Sequence, residues 1–109
     1  MRYLNDATVP GFLAEPRLRL LVFGTAEDLS SQVFGRQLTE FDELTGTRLQ
    51  IGVLDIARAP ETCAEWGVGE DLPIQILFQD GVMQQVLRGV RSPKAMWEEL
   101  AEYLEAPHI

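Results

Sequence analysis

The chain has 109 residues, 46% of them hydrophobic, which is enough to bury one core and too little for two, so a single domain over residues 1–109 is expected. Nine basic against seventeen acidic side chains leave a net charge of −8, and no Lys/Arg cluster relieves it, which argues against nucleic acid or an anionic membrane as partner. The opening Met1-Arg2-Tyr3-Leu4-Asn5-Asp6 lacks a signal-peptide apolar region and no run approaches the ~20 residues of a membrane span, so a soluble, cytoplasmic protein is expected.

From Asn5 to Glu15 the pattern is weak. Asp6 stands where it could cap a short helix carrying Val9, Phe12 and Leu13, interrupted by Pro10-Gly11. Leu18 to Phe23 is apolar apart from Arg19, the pattern of a strand covered on both faces and placed near the centre of a sheet. After the loop Gly24-Thr25-Ala26-Glu27, Asp28 occupies an N-cap position. Leu29, Val33, Phe34, Leu38, Phe41 and Leu44 then recur at three and four residues, predicting a long amphipathic helix that ends near Gly46. Leu49 to Ile56, with Gly52 and Val53 in its middle, is a second apolar strand. Strand, helix and strand make a right-handed βαβ unit with parallel strands.

Pro60 opens a short helix through Cys63 and Trp66 to a Gly67 stop. Leu72 to Phe78 is an apolar run entered through Pro73, which can stand only at the first residue of its strand or on an edge. Asp80-Gly81 turns the chain into the returning strand Val82 to Leu87. Ser92-Pro93 then caps a closing helix whose apolar face is Met96, Trp97, Leu100, Tyr103 and Leu104, and the tail from Glu105 to Ile109 is expected to fray.

This order of elements resembles the thioredoxin-like family over essentially the whole chain. The local motifs agree: Leu54-Asp55-Ile56, Ala59-Pro60, Trp66-Gly67-Val68, Leu72-Pro73, Phe78-Gln79-Asp80-Gly81 and Arg88-Gly89 fall in the family's order. The resemblance implies an α/β fold, a mixed sheet built from the βαβ unit and an antiparallel hairpin, flanked by helices, with Pro73 in the cis form. It also marks a departure. The redox Cys-x-x-Cys falls on Asp28-Leu29-Ser30-Ser31, its flanking tryptophans on Gly24 and Glu27, its buried acid on Val22 and the partner lysine on Val53. A dithiol exchange needs an attacking thiolate and a resolving partner, and this loop has neither.

Cys63 is the only cysteine and His108 the only histidine, so one chain can form no internal disulfide and no thiolate–imidazole metal cluster; no metal and no cofactor are expected. Ser30 and Ser31 have no nearby base to make a nucleophile, and Asp28 reads as a cap. Cys63, inside a short helix, is expected to be half-buried and inert, and Trp66 and Trp97 to serve the core. The leading expectation is therefore a redox-inactive, non-enzymatic adaptor or chaperone. It would hold another protein's extended segment along Glu27, Asp28, Leu29, Ser30, Ser31, Leu72 and Pro73; the resemblance extends to members that assist metalloenzyme maturation, hydrogenase precursors included. Two alternatives stand beside it: a single-cysteine thiol or glutathione-linked redox protein using Cys63, and a homo-oligomer joined through the edge strand Val82 to Leu87 or an exposed helix.

Overall fold

The computed structural model describes residues 1–25, 29–69 and 71–105, with residues 29–31 described by their backbone alone. Five strands, β1 (Arg2–Leu4), β2 (Leu18–Gly24), β3 (Gln50–Asp55), β4 (Ile74–Gln79) and β5 (Val82–Arg88), form one sheet in the order β1-β3-β2-β4-β5. β3 runs parallel to both β1 and β2, whereas β4 is antiparallel to β2 and to β5. Among the described residues, four α-helices, α1 (Val9–Ala14), α2 (Leu29–Thr45), α3 (Pro60–Trp66) and α4 (Pro93–Leu104), and two short 3-10 turns, Gly46–Arg48 and Ile56–Arg58, complete the elements. The expected mixed α/β sheet with flanking helices is the fold observed.

The continuous apolar character of β2 has a simple cause. Alternate side chains of a strand point to opposite faces, and both faces of this one are covered. Leu18, Leu20 and Val22 pack with Phe34, Leu38 and Phe41 of α2 and Met96, Leu100 and Leu104 of α4. Leu21 and Phe23 pack on the other side with Val9, Ala59, Ile74, Ile76 and Phe78. Phe23, Phe34, Phe41 and Phe78 are fully buried, each contributing roughly 2–3 kcal/mol relative to exposure. Arg19, the one charge in the run, is buried too, with its guanidinium over the Phe12 ring and 2.9 Å from Glu15.

Turn chemistry sets the hairpin and the helix ends. Asp80 and Gly81 both adopt positive φ, 51° and 82°, the geometry of a tight hairpin turn. The Asp80 carboxylate also accepts from Arg17 N–H at 2.8 Å. Ser92 Oγ accepts from Ala95 N–H and so caps α4 as expected. Gly67 ends α3 in the left-handed conformation, also as expected.

Several expectations need correction. β1 was not foreseen, because three residues, two of them exposed, carry no readable alternation. Pro10 sits within the first turn of α1 and so does not interrupt it; Pro lacks the N–H that is unpaired there anyway. Asp6 does not cap that helix. Val33 and Leu44 of α2 are 46% and 56% exposed, outside the stripe formed by Phe34, Leu38 and Phe41. The capping role expected of Asp28 and the tail at 106–109, with His108, lie outside the described residues. Among the described residues no helix is long and apolar enough to cross a membrane.

Candidate functional site

Two features gather chemistry: a cavity at one end of the sheet and a thiol on the opposite face. The cavity, about 520 Å³, lies where β1, β2 and β3 end, at Leu4, Gly24 and Asp55, and where the chain enters β4 through Pro73. Carboxyl ends of parallel strands are where open α/β sheets place their ligands. Leu4, Val22 and Val53 from the sheet and Phe34 and Leu38 from α2 make the walls; Tyr3, Asp55, Arg58 and Pro73 stand among the lining residues as well.

Register explains its apolar depth. Tyr3 pairs with Val53, Val53 with Val22, Val22 with Gln75 and Gln75 with Leu87, so these five form one row across the sheet. Val22 and Val53 hold the two positions where the resemblance places an acid and a lysine. The polar member of the row is instead Gln75, fully buried, whose Nε2 reaches Gly89 O at 3.4 Å while Oε1 has no hydrogen-bond partner. Sequence reasoning passed over Gln75. The signal was a glutamine between Ile74 and Ile76, in a strand read as uniformly apolar.

The Leu72-Pro73 peptide bond is cis, as the resemblance implies. Pro73 is buried, and its carbonyl accepts from Gly89 N–H at 2.9 Å, which ties the strand entry to the end of β5. Leu72 is half-buried and packs toward the α1/α3 face. The structure thus brings Pro73 to Gly24 and Thr25, at the start of the loop where the remaining groove residues were expected. Glu27 and Asp28 lie outside the described residues, and Leu29, Ser30 and Ser31 begin α2 with side chains outside them.

Cys63 belongs to the other face. It is half-buried on α3, a free thiol packed against the cluster of Leu54, Ile74 and Phe78, and it does not line the cavity. Partial desolvation, reinforced by the nearby Asp6 charge, pushes its pKa above the ordinary thiol value. Asp6 itself reaches the start of α3: its carboxylate accepts from Thr62 N–H at 2.8 Å, Thr62 Oγ–H at 2.7 Å and Glu61 N–H at 3.2 Å. Desolvation raises the Asp6 pKa, but these hydrogen bonds to the charged form outweigh it and leave the carboxyl below its usual range. Nearby, Trp66 stacks edge-on against Phe78 with ring centroids 5.1 Å apart, and its indole N–H is buried without a partner. Trp97, half-buried on α4, donates to Glu105 Oε1.

No family model matches the sequence, and no curated protein does. Among solved structures the chain is similar to one from work on the thiol resolving mechanism in yeast mitochondrial 1-Cys peroxiredoxin via the glutathione and thioredoxin systems. The TM-score is 0.82 at 16% identity, over 94% of each chain. This neighbour overturns the expectation of a redox-inactive, non-enzymatic chaperone, since it comes from an enzyme system that works by thiol chemistry. The fold recurs in 346 solved chains, so it does not choose an activity by itself. What the geometry and the likeness establish together is that this chain has a thioredoxin-like α/β fold.

Proposed function

We propose that the protein is a single-cysteine thiol redox protein, exchanging disulfides through Cys63 with glutathione or with a partner protein. The observation that carries this reading is that the chain's one sulfur nucleophile is half-buried rather than sealed in the core. The likeness to a structure from a thiol-resolving system supports it.

The exchange step is balanced without any second cysteine. The Cys63 thiolate attacks one sulfur of a disulfide RSSR, forms the mixed disulfide Cys63–S–S–R and releases RS⁻; a thiol from another molecule later resolves it. The raised pKa has two consequences. At neutral pH the thiolate is a small fraction, so capture is slow; and Cys63 is a poor leaving group, so a mixed disulfide once formed persists.

Incubating the native chain with glutathione disulfide and weighing the intact protein tests the reading. One glutathione per chain is expected, reversed by a reducing agent and missing from Cys63→Ser. A chain that takes up glutathione only in denaturant would contradict it.

A further inference from the structure

The cavity between α2 and the ends of β1, β2 and β3 is a second, separate feature, and Cys63 is not part of it. Its walls are hydrocarbon from Leu4, Val22, Phe34, Leu38 and Val53, and its volume of about 520 Å³ falls in the range of small-molecule sites. Two charges stand among the lining residues, Asp55 and Arg58. They are not equivalent. Asp55 is half-buried, and Oδ1 accepts from Ala57 N–H at 3.0 Å, closing the turn that carries Arg58. Arg58 is exposed and has no ion-pair or hydrogen-bond partner among the described residues. On a chain of net charge −8, a guanidinium left unpaired beside an apolar chamber offers a place for one anionic group.

We propose that this chamber binds a medium-chain alkyl monocarboxylate, with the hydrocarbon against Val22, Val53, Phe34 and Leu38 and the carboxylate at Arg58. Arginine matches a carboxylate in geometry as well as charge. The neighbouring Asp55 sets the charge limit: Arg58 can pair with one carboxylate, while a second would have no further cation among the described lining residues and would meet the Asp55 charge. The chamber's depth sets the other preference. Each methylene buried should tighten binding about fourfold, so affinity climbs with chain length until the hydrocarbon fills the space.

The test is a titration of the full chain with octanoate, 1-octanol and octyltrimethylammonium below their micelle concentrations, read from backbone amide shifts. Octanoate should saturate with the largest shifts around Val22, Leu38 and Val53, bind about threefold more tightly than 1-octanol, as befits an exposed ion pair, and exceed the cation by more. Hexanoate should bind roughly fifteenfold more weakly than octanoate. Arg58→Gln should remove the preference of octanoate over 1-octanol without disturbing the fold. Asp55→Asn keeps a capping oxygen for Ala57 and should strengthen octanoate binding about twofold. Equal binding of the three head groups, shifts centred elsewhere, no saturation, or a preference that survives Arg58→Gln would each overturn the proposal.

Discussion

Asp6 stands 55 positions before Glu61, yet its carboxylate supplies the hydrogen-bond acceptors that the first turn of α3 needs. Ala59, at the N-cap of that helix, has no side-chain oxygen to offer, so the cap comes from the N-terminal segment. Sequence patterning identified Asp6 as a cap and attached it to the nearer helix, because capping rules see only neighbours along the chain. The position nearest α1 is filled instead by Thr8, which makes no side-chain cap hydrogen bond. A pH dependence follows. The Asp6 pKa is lowered on folding, so its contribution is present above the unfolded pKa and is lost as pH falls through the folded one. Asp6→Ala should lower Tm at neutral pH, and the gap between mutant and wild type should close in acid. A gap constant from neutral pH to well below the carboxylate range would refute the charged-acceptor account.

At the level of elements, the hairpin and the closing helix were legible because their signals are local. Asp80-Gly81 requires positive φ and Ser92-Pro93 marks a helix start; neither depends on the rest of the fold. Gly81→Ala puts a β-carbon at φ 82°, where the nearest outside atom is Leu13 O at 3.7 Å. Its cost of about 1 kcal/mol is therefore conformational. Ser92→Ala should cost about 1 kcal/mol through the lost cap. Chemical denaturation of both variants checks these values, and a loss below a few tenths in either would remove the corresponding explanation. Gly52 was visible as a glycine inside an apolar strand, but its reason was not. Leu4 Cδ1 and the Phe12 ring lie 2.4 Å and 3.0 Å from where a β-carbon would stand, so β1 and α1 press onto that strand. Gly52→Val should cost about 1–3 kcal/mol by overpacking; a fully stable Gly52→Val would show that β1 and α1 yield easily.

Over the whole molecule, the order of elements after β1 and the central place of β2 were legible, since each rests on apolar period, a turn dipeptide or a proline, whereas the cis form of Pro73 came from the family resemblance. The site was less legible for a physical reason. A cavity arises where strands distant in sequence end side by side: Leu4, Gly24 and Asp55 are brought together only by the order β1-β3-β2. Val22 and Val53 could be recognised as missing polar groups, but Arg58 and Tyr3 had no local signal to join them. Cys63 and its half-burial were legible, and desolvation together with Asp6 raises the thiol's pKa, which agrees with low reactivity at neutral pH and moves any thiolate chemistry to higher pH.

The rate at which native Cys63 exchanges with glutathione disulfide, followed against pH by intact mass, tests the central claim most directly. Because the folded pKa lies above the ordinary thiol value, the protonated form persists further into alkali. The rate should climb about tenfold per pH unit from neutral pH and level off only beyond the range of an unperturbed thiol, with Cys63→Ser showing no adduct throughout. Native chain that stays free of adduct across that range, while the denatured chain reacts, would contradict a redox protein working through this thiol.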